Sequence, residues 1–576
     1  MFSDRNILTS FFLLSLLIFS HGLSIHGIEY RDDEIFYYQS TQEMIQNHDV
    51  LSPTYFGANR FEKPILFYWF ILLFYKIFGV NWFAARFVSV IFAGLTVCLT
   101  WKIARHLFDR RIATLSALIL MTTPLFFRHA KNAVPGMALT FFVVAAMSCL
   151  LQILRAEELP VEEKQRLQNK YSILFFVACG LGFMIKGYTA IVVPWGTLLV
   201  YAFWSKTPGI LKTIRFGRGI LIFLLIVSPW FIYMIWRHGH VYLDHVLIVE
   251  TKERLIGNEA GNFLIVWIKK FVSHIGFYLK NMFSYFAPWS LFLFLGLPLL
   301  FKKTSLDTNL KFLLSWFGLV FFFFASLYFV INHYLMALIV PFAILVSYVF
   351  LTQGKSDTVL KIQKISVVVT FTLGFLGFSL FLVLFMGISK IWLILLFIFY
   401  ALLLGILLKS KTPLTAPVLL SLLILCVFCQ SNLLGKAKLT SQATLQNFAK
   451  VINSDPIHHV IGVGSHDIHR KEFQTYFDQK VDKLGMSDAD KTRVRLKLFL
   501  TTHKKRVYCL ILEKDLKDYL KKFPRENLVT VKEDSIVRRR MSIDKNFFIA
   551  LAKLDQATIH QYLMERIILL RKDPHG

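Results

Sequence analysis

Acidic residues and cysteines are scarce in this 576-residue sequence, which sets 36 Asp and Glu against 64 Lys and Arg and carries six Cys. Five of the cysteines (Cys98, Cys149, Cys179, Cys426, Cys429) fall in apolar stretches and Cys509 stands alone near the C-terminus, so no disulfide framework is visible. Cys426 and Cys429 form a CxxC, but inside a hydrophobic stretch this reads as packing rather than redox or metal chemistry. Phosphate-cradling glycine loops are missing too. Gly462-Val463-Gly464 lacks the third glycine, Asp467 standing in its place, and Gly182 to Gly187 carries its Lys before the second Gly. Neither argues for a bound nucleotide. Internal repeats and low-complexity tracts are absent. After the first apolar run, Ser20-His21-Gly22 is a poor cleavage site, so an uncleaved first helix is expected.

Apolar residues are what the chain has in excess: 56% of it is hydrophobic, 16% aromatic, with 58 Phe and a mean hydropathy of +0.56. Such a chain needs lipid as its solvent. Apolar stretches near 7–27, 83–101, 112–127, 137–154, 171–185, 189–204, 219–236, 279–300, 312–328, 334–351, 365–386, 391–408 and 414–432 predict about thirteen membrane helices at the ~20 residues a bilayer requires. The net charge of +28 would suggest nucleic acid in a soluble protein, but in a polytopic one it mostly reports topology. Basic clusters fill alternate connections, such as Lys102 to Arg111, Arg155 to Lys170 and Lys206 to Arg218. The alternation predicts a cytoplasmic N-terminus in the inner membrane. Segments 28–82, 237–278 and everything after 433 then lie outside the cytoplasm. Pro64 to Phe78 is apolar but short and aromatic, as an interfacial helix would be.

The expected division is a transmembrane domain over 1–436 and a small extracytoplasmic α/β domain over 437–576. Strand-like runs at Val460 to Val463, Arg506 to Leu512 and Leu528 to Val531 alternate with helical ones at Glu513 to Lys522 and Phe547 to Leu570. The histidines His458, His459, His466 and His469 follow no recognised zinc spacing and read as surface residues.

Chemistry concentrates in the first outer segment. Asp32, Asp33 and Glu34 form a carboxylate run at the expected membrane boundary. It reads either as a solvated helix start, since acids favour helix N-termini, or as a base or metal-binding group at the membrane face. Arg60-Phe61-Glu62-Lys63-Pro64 closes the segment, with Pro64 suited to open a helix; Lys63 either snorkels to the interface or reaches a phosphate. Lys186, between two apolar stretches, is an outer-loop lysine or the partner of a lipid phosphate.

Taken together, the acidic pair with Tyr37, the Phe-Glu-Lys-Pro run before Tyr68-Trp69, Phe78-Gly79-Val80-Asn81 and Ala84-Ala85-Arg86 resemble the membrane C-type glycosyltransferases. The likeness is to the branch of aminoarabinose (lipid A) transferases and protein O-mannosyltransferases. It continues through Thr123-Pro124-Leu125, Gly182 to Gly187, Ser228-Pro229-Trp230, Val249-Glu250 with Arg254, Pro288-Trp289-Ser290 and His333-Tyr334-Leu335. The resemblance implies a polyprenyl-phosphate sugar donor and inversion at the anomeric carbon. Asp33, with Glu34 beside it, would be the catalytic carboxylate that deprotonates the acceptor, and Lys63 and Arg254 would face the donor phosphate. Tyr37, Tyr334 and Lys186 are further phosphate or sugar partners. A lipid A-like glycolipid, a protein or a glycan would be the acceptor, in a membrane setting and with no nucleic acid. A divalent metal, if one is used, would fall to Glu62 and to Glu250.

Two positions depart from the pattern. Many members of the family it resembles carry a second acid where Lys131-Asn132-Ala133-Val134-Pro135-Gly136 places Gly136, leaving Arg128, His129, Lys131 and Asn132 as substitutes. Thr251 replaces a His found in some relatives. These departures keep open a non-catalytic relative that binds lipid-linked sugar. A lipid or sugar transporter is the other alternative, although ionisable residues here cluster in loops rather than within spans.

Overall fold

The computed structural model describes residues 3–24, 33–252, 263–301, 307–328, 330–352, 435–465, 481–503, 505–524, 527–537 and 562–573 with single gaps, and isolated positions elsewhere. They fall into two compact units. The first is helical and contains the described residues from Ser3 to Ser24 and from Tyr37 to Thr352; the second contains the C-terminal sheet and the segment Asp33 to Phe36.

In the first unit the chain forms α1 (Asp4–Ser20), α2 (Glu34–Gln46, shared with the second unit), α3 (Leu66–Phe78), α4 (Trp82–Leu107), α5 (Arg110–Thr122), α6 (Pro124–Ala130), α7 (Gly136–Arg155), α8 (Val161–Lys186), α9 (Thr189–Trp204) and α10 (Phe216–Asp244). These are followed by α11 (Phe263–Tyr285), α12 (Trp289–Phe301), α13 (Thr308–Ser326) and α14 (Ile339–Thr352). Among the described residues six helices are long and apolar enough to cross a membrane, or seven if α5 and α6, bent by 68° at Thr123-Pro124, count as one span. The protein is therefore an integral membrane protein. Leu221, Leu225 and Trp236 of α10 are exposed, as lipid-facing side chains should be.

Of the thirteen expected stretches, those at 7–27 and 189–204 form helices of 17 and 16 residues. Those at 365–386, 391–408 and 414–432 fall largely outside the described residues. The expected single span over 279–300 is corrected: α11 and α12 are separate helices, interrupted at Phe286-Ala287-Pro288. Pro288 has no N–H with which to continue a helix. The basic connection 155–170 is also mostly helix, because α8 starts at Val161 behind Pro160 with Glu162 and Glu163 in its first turn.

A hairpin of β1 (Thr54–Tyr55) and β2 (Ala58–Asn59) follows α2 and turns through Phe56 and Gly57, both at positive φ. Glu43 of α2 holds it. Its buried carboxylate accepts hydrogen bonds from Thr54 Oγ1 (2.6 Å), Phe56 N (2.7 Å) and Gly57 N (3.2 Å). The path of Arg60 to Lys63 toward α3 is set by this anchor.

The second unit carries a mixed sheet in the order β4-β3-β5-β7-β6. Its strands are β3 (His459–Val463), β4 (Val481–Lys483), β5 (Arg506–Leu512), β6 (Val529–Val537) and β7 (Met564–Lys572), and its helices are α15 (Gly435–Asn453), α16 (Ala489–Thr502) and α17 (Glu513–Lys522). Strands β4, β3 and β5 run parallel; β7 pairs antiparallel with both β5 and β6. The expected helix over 547–570 is corrected in its last part, since residues from Met564 on form β7. Its run Ile567 to Leu570 is buried in alternation on the two faces of a covered sheet, and this shape cannot be told from a buried helix by periodicity. Gly462, earlier set aside as a nucleotide signal, is required by packing. A Cβ there would lie 2.7 Å from the Phe499 ring and 2.9 Å from Leu484 Cδ1.

Asp455 ties this unit together. Its buried carboxylate accepts hydrogen bonds from Arg506 (2.8 Å), Tyr508 Oη (2.7 Å) and Ile457 N (3.0 Å). Burial by itself raises its pKa, but the bonds from Arg506 and Tyr508 outweigh it and bring it down to about 2. The folded value is below the ~3.9 of an unfolded Asp, so this stabilisation is complete above about pH 4 and is lost as pH falls toward 2.

Two outcomes are expected. Glu43→Ala leaves the Phe56 and Gly57 amides without their acceptor, a local cost of about 2–4 kcal/mol, and should speed hydrogen exchange over 54–59 without changing exchange in β5. Asp455→Asn should raise exchange in β3 and β5 at pH 6 and flatten the rise that wild type shows between pH 4 and pH 2.5; an unchanged pH response would refute the assignment.

Candidate active site

Most of the short motifs singled out in the sequence turn out to be joints between helices. Gly79, at φ 77°, ends α3, and Asn81 then caps α4: its Oδ1 accepts from Ala84 N at 2.9 Å while its Nδ2 donates to Phe78 O at 2.7 Å. Arg86 is buried, lies 4.9 Å over the Trp82 ring and donates to the carbonyl of Leu23 just beyond α1. Trp230 Nε1 donates to Leu51 O, and Trp289 Nε1 to Thr122 Oγ1. Gly187, at φ 82°, terminates α8 and leaves Lys186 in its last turn, where helix dipole and cation agree.

The joint at Gly187 borders a cavity of about 150 Å³ in the first unit, lined by Phe61, Glu62 and Pro64 from the segment before α3, by Phe183, Lys186 and Tyr188 around the end of α8, and by Tyr242 and Tyr334. Phe231, Phe323 and Phe324 add an apolar wall. Tyr334 sits on a 3-10 turn (Asn332–Leu338) and stacks on Phe324 at 4.5 Å, its ring within 17° of parallel. Phe61 packs edge-on against Tyr242 at 5.3 Å. Glu62 carries the carboxylate: Oε1 lies 3.4 Å from Arg60 Nη1, while Oε2 is buried with no hydrogen-bond partner among the described residues. Arg60 is itself held by Tyr68 Oη at 3.0 Å.

The structure thus brings together Glu62, Lys186 and Tyr334. Lys63 stands next to the cavity in sequence, its Nζ donating to Glu62 O at 2.5 Å, and does not line it. Tyr37 is buried against Phe67 and Tyr68, each 5.2 Å away, with Arg60 over its ring. Glu34 begins α2 and is buried, and Asp33 precedes it and is exposed. Both are grouped with the second unit. Arg254 lies outside the described residues, as does the Glu250 side chain.

Of the polar residues near Gly136, Lys131 and Asn132 are buried in structural bonds: Lys131 Nζ donates to His21 O at 2.6 Å, and Asn132 O accepts from Ser89 Oγ at 2.6 Å. A Cβ at Gly136 would stand 3.2 Å from His129 Nδ1, so His129 occupies the space of a longer side chain. No group of three or more His, Cys, Asp or Glu that could hold a metal occurs among the described residues. Among the described residues Glu62 offers a single carboxylate, with one oxygen engaged by Arg60. Sequence reasoning missed Glu43 and Tyr242. A lone acid on a helix gives no sign that it anchors a turn eleven residues on, and aromatic residues near a membrane carry no positional signal.

Comparison with known proteins agrees with this architecture. The family model described as dolichyl-phosphate-mannose-protein mannosyltransferase matches residues 62–233. An undecaprenyl phosphate-alpha-4-amino-4-deoxy-L-arabinose arabinosyl transferase 1 of Pseudomonas fluorescens strain Pf0-1 is 29% identical over 58% of this chain and 55% of its own length. An uncharacterized protein of Aquifex aeolicus is 27% identical over 62% and 66%. The chain thus spans between about half and two thirds of the length of these curated relatives. The crystal structure of ArnT from Cupriavidus metallidurans bound to undecaprenyl phosphate shares the fold, with a TM-score of 0.68, 16% identity and 98% coverage of each chain. With its helical membrane unit and its small C-terminal sheet, the chain shares the fold of that ArnT structure and is similar in sequence to the mannosyltransferase family model and to these arabinosyl transferases.

Proposed function

We propose that the protein is an inverting glycosyltransferase of the inner membrane that moves a sugar from a polyprenyl-phosphate donor to an extracytoplasmic acceptor. The observation that carries this reading is the cavity in which a cation, a carboxylate with an unpartnered oxygen and a phenylalanine wall converge. A lipid-linked sugar presents the matching chemistry. Lys186 would neutralise the departing phosphate, Glu62 Oε2 would accept a hydrogen bond from a sugar hydroxyl, Tyr334 would donate to phosphate or sugar, and the apolar wall would take the first prenyl units. Asp33 would deprotonate the acceptor, with Glu34 beside it and Lys63 and Arg254 assisting at the phosphate. Attack opposite the lipid inverts the anomeric carbon. Relatives named as undecaprenyl-phosphate arabinosyl transferases, and the undecaprenyl phosphate bound to the Cupriavidus protein, support this donor class.

The same reading keeps the full complement of about thirteen spans, the division at residues 436 and 437, and an outer location for the site and C-terminal domain. The acceptor class comprises lipid A-like glycolipids, proteins and glycans. Gly136 favours a second reading, a relative that binds lipid-linked sugar without transferring it, because no acid stands there and His129 fills the space.

With polyprenyl-phosphate sugar supplied to membranes and products followed by mass spectrometry, Asp33→Asn should lower transfer at least ~100-fold. Equal transfer by wild type and variant would sink the base assignment, and no transfer by wild type would favour the binding-only reading. Lys186→Ala should lower kcat/KM by about 10- to 100-fold, with Lys186→Arg retaining part of it. A Lys186→Ala variant of wild-type efficiency would remove the cation from the mechanism.

A further inference from the structure

A second opening lies toward the other end of α8, between α1, α4, α7 and α8, and encloses about 580 Å³. Its walls are apolar, with Phe141, Phe142, Leu174 and Leu181 among them, while Lys102, Arg105 and His106 gather with Asp4 at its end. Along α7 it runs from Phe141 to Gln152, twelve residues separated by roughly 16 Å of helix. One leaflet of a bilayer has a hydrocarbon depth of roughly 15 Å, half of the ~30 Å core. The groove is therefore as deep as one lipid tail is long.

The charges at its end do not cancel. Asp4 lies 3.5 Å from Arg105 and also pairs with Arg110, so a single carboxylate is shared by two guanidinium groups. Lys102 is exposed and has no ion pair among the described residues. His106 Nδ1 is 2.7 Å from Lys102 O, which orients its ring beside the lysine. Lysines and arginines at a helix end are common topology signals and by themselves imply no ligand. Here the excess positive charge closes an apolar groove of leaflet depth, an arrangement complementary to a phosphate headgroup carrying an acyl chain.

We propose that this groove is a binding site for an anionic phospholipid, its phosphate at Lys102 and Arg105 and one tail along α7 and α8. The site is separate from the cavity at Lys186 and does not depend on the glycosyltransferase reading. The lipid would brace α1 and α8 where the groove parts them, serving as a structural lipid rather than a substrate.

The full chain can be reconstituted in vesicles of equal phosphatidylglycerol and phosphatidylethanolamine, extracted gently, and its retained lipids counted by native mass spectrometry. Wild type should keep phosphatidylglycerol over phosphatidylethanolamine by about fivefold, the ratio that ~1 kcal/mol from Lys102 alone gives, Arg105 being compensated by Asp4. Lys102→Gln should bring the ratio close to one, Lys102→Arg should preserve it, and Ala145→Phe, which fills the groove, should reduce retention of both lipids. No preference in wild type, an unchanged ratio in Lys102→Gln, or equal loss in Lys102→Gln and Lys102→Arg would each overturn the proposal.

Discussion

Hydrocarbon offers no hydrogen-bond partner to a bare peptide group, and this single constraint organises the first unit. Backbone within the membrane has to be helical, and wherever a helix stops, its terminal groups need other partners. The stops are therefore the places where polar residues gather. Asn81 takes up both the end of α3 and the start of α4, while Arg86 and Lys131 donate to carbonyls just beyond α1. Side chains that a motif reading treats as chemistry are, in many cases, the groups that make these ends tolerable.

The candidate site grows out of the same necessity. Gly187 ends α8 and leaves a cation at its C-terminus, and Glu43 pins the hairpin at 54–59 that leads into Arg60 to Pro64. Arg60, braced by Tyr68, then holds Glu62 with one oxygen paired and one unpartnered. The cavity is shaped by elements far apart in sequence, from Phe61 to Tyr334, and its polar groups are few against an apolar wall. That balance suits an amphiphilic donor better than a free sugar.

The C-terminal unit obeys water's rules instead. There the burial of both sheet faces by α15, α16 and α17, together with the Asp455–Arg506–Asp573 network, supplies the order. Strand β5 and helix α17 lie where their patterns predict, because an uninterrupted apolar run beside an amphipathic one is an unambiguous local signal. Strand β7 was not legible: Ile567 to Leu570 is apolar without alternation, and only its pairing with β5 and β6 makes it a strand.

The sequence by itself determined that the chain lives in a membrane, that a polar α/β unit follows, and that Glu62, Lys186 and Tyr334 belong to chemically suggestive motifs. Composition and short-range spacing are enough for these, since hydropathy and capping act over a few turns of chain. Only the tertiary structure decided which motif residues meet in a cavity, and that Arg86, Lys131 and Gly462 hold helix ends and strands together. It also broke the stretch at 279–300 into two helices. Convergence of this kind depends on contacts between segments hundreds of residues apart, and local pattern carries no record of them.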